Sequence, residues 1–216
     1  MNNLEVLYED NHIIVVVKPE NVLSQSDITG DIDMLTIIKN YLKNKYNKPG
    51  NVFLGLIHRL DRPVGGVMVF AKTSKAASRL SEQVRNNKMK KTYYAIVTGY
   101  LDCKKDSLID KIEKIDKKKV LLNTRGGKES ILNYKVINEK NNLSLVEVEL
   151  ITGRYHQIRL QFSSRNHPLY GDQLYGKKDK KQLALYAYKL SFYHPITKEL
   201  MTFEKIPQYG IWKYYI

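Results

Sequence analysis

The sequence is poor in the residues that build cross-links and membrane spans. Cys103 is the only cysteine among 216 residues, which excludes an intrachain disulfide and a zinc site built on cysteines. No stretch approaches the roughly 18 consecutive apolar residues of a membrane span, and the first residues lack the basic flank and apolar run of a signal peptide. We therefore expect a protein of the reducing cytoplasm that does not enter a membrane.

Common motifs for nucleotides and metals are also missing. Neither a GxxxxGK[ST] nor a GxGxxG sequence occurs, which argues against a nucleotide cofactor in the common loop folds. The histidines show no HxxxH or HxxE spacing, so a metal site has weak support. We expect neither a cofactor nor a bound metal.

Acidic residues are scarce beside basic ones. The chain has 36 Lys and Arg against 22 Asp and Glu, and its formal net charge of +14 is spread along the sequence. Such a balance favours nucleic acid as the partner, because phosphates attract basic surfaces. The alternative is a soluble protein whose many surface lysines have no specific role.

The hydrophobic residues, 43% of the chain, can supply a real core and predict a globular fold. Apolar runs rich in Val, Ile and Tyr predict strands near residues 4–8, 12–17, 67–71, 92–98, 118–123, 130–138, 143–150, 184–192 and 200–204. Short polar turns at 138–142 and 194–199 join neighbouring runs, which favours antiparallel hairpins over a doubly wound parallel sheet.

Helices are predicted at 33–45, 75–87 and 154–165 from apolar residues at helical spacing, with Ser74 as the N-cap of the second. The chain shows no internal repeat, low-complexity segment or long linker. The prediction is therefore one domain, residues 1–216, of the α+β class. It would have a mostly antiparallel mixed β-sheet with flanking helices, in two lobes around a central cleft.

Asp61 stands between Arg59 and Arg62 in the stretch "HRLDRPVGG". If this segment is extended, Arg59 and Asp61 point the same way while Leu60 faces the other side, because side chains alternate along a strand. The carboxylate would then lie on the polar face of a turn and be available for chemistry. The alternative is that Asp61 only caps this turn and pairs with an arginine.

A second group of polar side chains lies on the predicted third helix. His156, Arg159 and Ser163 share one face by the i, i+3, i+7 rule, while Ile158 and Phe162 can reach the core. A guanidinium on such a buried helix needs a partner, since burying an unpaired charge is costly. The alternative is a solvated face with ordinary basic residues.

Tyr93 and Tyr94 stand side by side in "KKTYYAIVTG". In a strand they face opposite sides, so one ring can belong to the core and the other can present itself to a base. Core packing alone is the alternative, because the chain has 16 tyrosines and a single one proves little.

Several ordered stretches resemble the RluA-type pseudouridine synthase family. "HRLDRPVGGVMVFAKT" is similar to its catalytic motif, "KKTYYAIVTG" to its KxYxAxVxG strand, and "TGRYHQIRLQFSSRNHPLYGDQLYG" to its third motif. "VVVKPEN" and "SFYHPITKEL" match in place and order, so the resemblance spans residues from about 10 to 205. Several motifs in the family's order are together more specific than any single motif.

The resemblance implies isomerisation of uridine to pseudouridine in ribosomal or transfer RNA, without a cofactor or metal. Asp61 would be the nucleophile or ring-handling carboxylate, Arg159 its salt-bridge partner, and Tyr93 a ring packed against the flipped base. Substrate binding would fall to four basic residues, namely Arg59, Arg62, Arg154 and His156. We also expect a monomer.

Some positions depart from the family pattern. Val64 and Gly65 stand where Thr and Ser are usual, and Tyr155, Gln161 and Asn166 replace Thr, His and Gly in the third motif. These changes keep the catalytic positions and bear on loop shape and target choice. Many relatives also carry an N-terminal S4 RNA-binding domain, which we do not expect here.

Two other functions fit part of the pattern. A non-catalytic RNA-binding protein could keep the same fold, but Asp61, Tyr93 and Arg159 are all in place, which speaks against it. A metal-dependent nuclease is disfavoured because no acidic cluster accompanies Asp61. Incubation with RNA in EDTA separates the three by isomerisation, no change, or cleavage that is lost on chelation.

RNA affinity should fall steeply with salt. A protein of charge +14 that neutralises several phosphates releases counterions on binding. The expected loss is on the order of 0.7 log units of affinity per contact for each decade of salt on single strands. A flat response in filter binding between low and high salt would show that this charge is not an RNA-binding surface.

Overall fold

The structure, a computed structural model, describes residues 4–115, 120–122 and 125–216. The α-helices are α1 (Met34–Lys45), α2 (Ser74–Arg85) and α3 (Gln157–Ser163), and a 3-10 helix covers Gly210–Tyr214. The strands are β1 (Glu5–Glu9), β2 (Ile13–Lys18), β3 (Gly55–Leu56), β4 (Gly65–Ala71), β5 (Lys90–Thr98), β6 (Lys105–Lys114), β7 (Val120–Leu122), β8 (Lys128–Lys140), β9 (Leu143–Leu150), β10 (Leu185–Tyr193) and β11 (Leu200–Glu204). Of the strand expected at 118–123, residues 118, 119 and 123 lie outside the described residues.

The chain forms two compact units. The first comprises the described residues up to Met89 together with Lys189–Lys205, and the second comprises Lys90–Tyr188 and Ile206–Ile216. The helices and the antiparallel strand pairs confirm the predicted α+β class. The cleft expected between two lobes stays a prediction.

The first unit is built on β2 and β4, which are buried along their whole length. β2 pairs antiparallel with β1 and with β4, β3 adds to β4, and β11 pairs antiparallel with β10. Strands covered on both faces need apolar residues at every position, which explains the unbroken "IIVVV" of β2. Its core packs Val15, Val69 and Phe192 against Ala76 and Leu80 of α2.

Helix caps in this unit follow from short polar side chains. The carboxylate of Asp33 accepts hydrogen bonds from the backbone N–H groups of Leu35 and Thr36, which fixes the start of α1. The N-cap of α2 is Thr73, whose hydroxyl accepts from the N–H of Ala76. The expectation that Ser74 is the cap was therefore wrong by one residue, since Thr73 is the residue with extended dihedral angles.

The second unit is an antiparallel sheet in which β5 pairs with β9, β9 with β8, β8 with β6, and β6 with β7. Asn141 and Asn142 adopt positive φ angles of 53° and 56° at the tip of the β8–β9 hairpin, the conformation that Asn tolerates best after Gly. One face packs Ile96, Leu145 and Tyr186 against Trp212. The predicted hairpin at 138–142 is confirmed.

Two elements of this unit differ from the prediction. β6 was missed because its sequence "KDSLIDKIEK" buries only Leu108 and Ile112, and the charged residues between them hide the strand pattern. α3 covers Gln157–Ser163 where residues 154–165 were predicted. His156 has a φ of 54°, in the left-handed region, so the helix cannot extend back through it.

Lys18, the last residue of β2, is fully buried. Its Nζ donates hydrogen bonds to the carbonyl oxygens of Pro19 at 2.9 Å and Arg62 at 3.1 Å, and to that of Val22. Burial lowers the pKa of Lys18 to about 7, although the negative charge of Asp61 opposes this shift. The ammonium therefore ties the end of β2 to two separate loops.

The pKa of Lys18 predicts how stability depends on pH. The folded pKa of about 7 lies below the unfolded value of about 10.4, so between these limits the unfolded chain binds more protons. The free energy of unfolding should therefore gain up to about 1.4 kcal/mol per pH unit from this group as pH rises through the window. Urea unfolding of wild type and Lys18→Met across this range measures the difference in slope.

A matched control for this measurement is Lys39→Met. Lys39 is exposed on α1, so its ammonium is solvated in both the folded and the unfolded chain. Its replacement should leave the slope of the wild type in place. Equal slopes for wild type and Lys18→Met would contradict the lowered pKa of the buried lysine.

Candidate active site

Asp61 lies at a turn that leads into β4. The N–H of Val64 donates to the carbonyl oxygen of Asp61 at 2.9 Å and closes a β-turn immediately before Gly65, where β4 begins. Asp is favoured at the first position of such turns. Leu60 is buried, Asp61 is half-buried and Arg59 is exposed. Burial thus alternates over these three positions, and the shared direction of Arg59 and Asp61 stays a prediction.

The backbone is fixed on both sides of Asp61. The buried Ser24 hydroxyl accepts from the N–H of Leu60 at 3.1 Å and donates to the carbonyl oxygen of the same residue at 2.7 Å. Lys18 bonds the carbonyl oxygen of Arg62 on the other side. The carboxylate is therefore carried on a turn whose position is set by buried side chains.

Two arginines flank this turn. Arg59 is exposed, and Arg62 forms an ion pair with Asp31 in which Nη1 and Oδ2 are 2.7 Å apart and both side chains are about half exposed. Exposed pairs of this kind contribute about 0 to 1 kcal/mol, so an incoming phosphate can compete for the guanidinium. Both arginines are in the first unit, with Asp61.

Tyr93 faces the side of the second unit's sheet on which α3 lies. It is opposite Val148 on β9, and Val148 is opposite Tyr134 on β8, so the three share a face. Tyr134 packs edge-to-face against Phe162 of α3, with ring centroids 5.4 Å apart. Tyr93 and the helix that carries Arg159 are therefore on the same side of the sheet.

Tyr94 belongs to the other face. Its ring stacks on Tyr188 at 3.9 Å and 8°, and the Tyr188 hydroxyl donates to Glu147. Glu147 lies directly opposite Tyr94 in the β5–β9 register, so these three groups are one structural cluster. The two neighbouring tyrosines lie on opposite faces as the sequence predicted, with Tyr93 buried at 7% exposure and Tyr94 half-buried against Tyr188.

α3 is anchored to the sheet by Gln161. Its Nε2 donates to the carbonyl oxygens of Leu108 and Ser130, both at 3.1 Å, and to Asp110 Oδ2 at 2.8 Å. Asp110 also pairs with Arg165, just beyond the helix. Gln161, which stands where the family motif has His, therefore fixes the helix against β6 and β8.

Arg159 is buried and makes two hydrogen bonds to one carboxylate. Its Nε donates to Asp172 Oδ2 at 2.7 Å and its Nη2 donates to Asp172 Oδ1 at 2.8 Å. Both side chains are almost fully buried, with exposures of 8% and 0%. Burial would raise the pKa of Asp172, but the hydrogen bonds and charge of Arg159 outweigh it and hold the pKa below its ordinary value. The expected pairing of Arg159 with Asp61 stays a prediction.

The loop before α3 places Arg154 and His156. Gln157 Oε1 accepts from the N–H of Arg154 at 3.0 Å and from the Thr152 hydroxyl at 2.9 Å, which folds the loop back onto the helix. Arg154 is exposed and its Nε donates to the carbonyl oxygen of Glu129. His156 is half-buried, with its ring stacked on Tyr155 at 3.8 Å.

Lys91 is a basic residue beside this loop. It is two residues before Tyr93 on β5, so the two side chains share a face. A Cβ added at Gly153 would lie 3.0 Å from Lys91 Nζ, so the side chain passes close over the loop. Burial lowers the pKa of Lys91, and a nearby anion would therefore stabilise its charged form.

Sequence reasoning did not name four residues near the candidate groups of the two units: Lys18, Lys91, Asp172 and Tyr175. Each stands in a stretch that resembles the family, but for Lys91, Asp172 and Tyr175 the sequence pattern carries no signal of their surroundings. A usable signal was the Lys at the end of the fully apolar run "IIVVV", because a residue that continues a buried strand is itself expected to be buried.

The described part of the chain has neither a group of side chains suited to a metal ion nor a helix suited to a membrane. Across residues 4–115, 120–122 and 125–216, no three His, Cys, Asp or Glu side chains are grouped so that they could hold a metal ion. Within those same ranges no helix has the length and apolar character that crossing a membrane requires.

The sequence matches the RNA pseudouridylate synthase family over residues 12–164. It is 37% identical over 210 residues to the uncharacterized RNA pseudouridine synthase YhcT of Bacillus subtilis, covering 93% of this chain and 68% of that protein. It is 31% identical over 222 residues to the ribosomal large subunit pseudouridine synthase D of Zymomonas mobilis, covering 95% and 70%. The chain thus spans about two thirds of the length of these curated relatives.

Solved structures show the same fold. The human RNA pseudouridylate synthase domain containing 4 superposes with a TM-score of 0.79 at 21% identity, covering 94% of this chain and 89% of that one. The human RNA pseudouridylate synthase domain containing 1 gives 0.76 at 20% identity, with coverage of 96% and 85%. With the family match over residues 12–164, these findings establish that the chain belongs to the RNA pseudouridylate synthase family, whose members are isomerases.

Proposed function

We propose that this protein isomerises uridine in structured RNA to pseudouridine, with Asp61 as the catalytic carboxylate and without a cofactor. The observation that carries the proposal is the family match over residues 12–164, a range that includes Asp61, Tyr93 and Arg159. In this proposal the two units act together as one catalytic domain, residues 1–216.

The reaction exchanges one bond for another without changing composition. The bond from N1 of uracil to C1′ of the ribose breaks, the base turns, and a bond from C5 to the same carbon forms. A proton leaves C5 and another is added at N1. Asp61 either attacks the sugar or handles the ring, and both roles need an ionised carboxylate on a fixed support. Ser24 and Lys18 hold the turn that provides this support.

Tyr93 and Arg159 are proposed to act on the same nucleotide as Asp61. An aromatic ring is a natural platform for a base that has been flipped out, and flipping costs a few kcal/mol unless the uridine lies in a loop. Tyr93 would supply this platform and relay a proton through its hydroxyl. Arg159 would supply the positive charge that keeps the carboxylate ionised.

Basic residues are proposed to hold the RNA backbone. Arg59 and Arg62 lie beside Asp61, while Arg154 and His156 lie in the loop before α3. Lys91 joins this set, because it shares a face with Tyr93 and a phosphate would offset the burial of its charge. Such contacts position RNA without reading its sequence.

Ribosomal RNA is the first substrate to test, with transfer RNA second. Several similar proteins, among them those of Zymomonas mobilis and Neisseria meningitidis, are named ribosomal large subunit pseudouridine synthase D. We further propose that the protein acts in the cytoplasm as a monomer. Mapping of pseudouridine in total RNA from cells with and without the gene would identify the modified position.

Asp61→Asn should abolish isomerisation while RNA affinity stays within a few fold of the wild type. The carboxylate performs the chemistry and contributes little attraction to a polyanion. Release of tritium from RNA labelled with 5-tritiated uridine measures turnover, because the hydrogen on C5 leaves, and filter binding measures affinity. Turnover retained by the variant would overturn the assignment of Asp61.

Tyr93→Phe should bind a uridine-containing stem-loop almost normally but turn over slowly, because the ring still stacks while the hydroxyl is gone. Tyr93→Ala should also lose base placement. The matched control is Tyr94→Phe, which makes the same change on the opposite face and keeps the ring stacked on Tyr188. Its turnover should equal that of the wild type. Full activity of Tyr93→Phe would confine this residue to packing.

A further inference from the structure

The loop that follows α3 surrounds the guanidinium of Arg159 with two side chains, Asp172 and Tyr175, which we call the Arg159 cradle. We infer that the cradle positions Arg159 for catalysis by fixing the direction of its guanidinium, so that Asp172 and Tyr175 are positioning residues of this enzyme. The inference rests on the proposed function, in which Arg159 serves the isomerisation of uridine.

The carboxylate of Asp172 is locked by four hydrogen bonds. Oδ2 accepts from Arg159 Nε, and Oδ1 accepts from Arg159 Nη2. Oδ1 also accepts from the backbone N–H groups of Leu174 at 2.9 Å and Tyr175 at 3.0 Å. Rotation of the carboxylate would break bonds at both oxygens, so the plane of the guanidinium is set by the loop backbone.

The loop itself has little freedom. Gly171 has a φ of 73°, and a Cβ at this position would collide with the carbonyl oxygen of Gln182, so only glycine fits. The N–H of Gly176 donates to the carbonyl oxygen of Asp172 at 3.0 Å and closes the loop on the other side. Asp172 is thus presented from a tight turn with a fixed entrance and exit.

Tyr175 covers the guanidinium and connects it to the rest of α3. The Arg159 guanidinium carbon lies 5.2 Å from the centre of the Tyr175 ring. His156 Nδ1 is 2.9 Å from the Tyr175 hydroxyl, and Ser163 Oγ donates to the Tyr175 carbonyl oxygen at 2.8 Å. The face of α3 predicted to carry His156, Arg159 and Ser163 is therefore the face that meets this one tyrosine.

The cradle determines which edge of the Arg159 guanidinium faces Asp172 and which edge faces away from it. Nε and Nη2 form the edge that faces Asp172, and Nη1 lies on the other side of the planar group. A guanidinium can bridge two partners in this way, whereas the single ammonium of a lysine would be drawn to Asp172 alone. The proposed role of residue 159 thus requires an arginine whose guanidinium is bound on one edge by Asp172.

Asp172→Asn separates positioning from loop folding. The amide oxygen can keep both bonds from Leu174 and Tyr175, because Asn accepts such backbone bonds well. The amide nitrogen then faces Arg159 Nε, where it can only donate. We expect the single-turnover rate of tritium release to fall on the order of 10- to 100-fold, as for other small misplacements of a catalytic group, with RNA affinity within a few fold.

A double-mutant cycle tests whether this loss passes through Arg159. If Asp172 acts through Arg159, then Arg159→Ala and Arg159→Ala/Asp172→Asn should have the same rate, because the second change removes nothing further. Free guanidinium ion should partly restore Arg159→Ala, since the cradle can hold it, and should not restore the double variant. If Asp172 has only a structural role, the rate losses of the two single variants should multiply in the double variant. Guanidinium ion should then restore Arg159→Ala and the double variant to the same extent.

Variants of Tyr175 provide a second test of the inference if Asp172→Asn does not fold. Tyr175→Leu removes the ring beneath Arg159 and should slow turnover, again with no added effect in the Arg159→Ala background, while Tyr175→Phe keeps the ring and should retain most of the rate. Independent effects of these changes and Arg159→Ala, or wild-type rates in the single variants, would overturn the inference. A wild-type protein that releases no tritium from ribosomal or transfer RNA would instead overturn the proposed function.

Discussion

The requirement that a buried cation be satisfied by fixed acceptors shapes both units of this protein. In the first unit the cation is Lys18, whose ammonium is met chiefly by backbone carbonyl oxygens. In the second it is Arg159, which is met by the carboxylate of Asp172. Leaving either charge unsatisfied would cost several kcal/mol, so the loops that supply the acceptors must hold their shape.

The two solutions have different electrostatic consequences. Carbonyl dipoles only partly replace the water that Lys18 loses, so burial dominates and its pKa falls to about 7. Arg159 meets a full negative charge, and the pair stays ionised because its attraction and hydrogen bonds lower the pKa of Asp172 despite burial. Lys18 can therefore lose its proton near neutral pH, whereas the guanidinium of Arg159 is a permanent cation.

Local periodicity predicted much of the fold, while the partners of the buried charges could not be predicted. The β8–β9 hairpin and α1 followed from residue pattern and turn chemistry, because the apolar alternation and Asn141–Asn142 act within a few residues. β6 was missed because packing against β8 decides its conformation, and its own residues are mostly charged. α3 was predicted too long because His156 adopts a left-handed conformation, which the spacing of apolar residues does not reveal.

The same distinction applies to the candidate site. Asp61, Tyr93 and Arg159 could be named from motifs, and the separation of Tyr93 from Tyr94 followed from strand geometry. The surroundings of each ring could not be predicted, because the stacking partner of Tyr94 is Tyr188, a residue more than ninety positions away in the numbering. The carboxylate that meets Arg159 was hidden for a related reason: Asp172 lies 13 positions further along the chain, in a loop with no helical or strand periodicity.

The supports of the proposed catalytic groups are therefore as specific as the groups themselves. Asp61 depends on Ser24 and Lys18, and Arg159 depends on Asp172 and Tyr175. Ser24, Lys18 and Asp172 act through hydrogen bonds of defined geometry. A substitution of similar size but different hydrogen-bonding capacity would therefore shift the supported group without changing its chemistry. Catalysis is sensitive to errors of about 1 Å in such positions, which are too small to disrupt the fold. The loop 171–176 shows such a support, because the buried Asp172 and the half-buried Tyr175 both contact the guanidinium of one arginine.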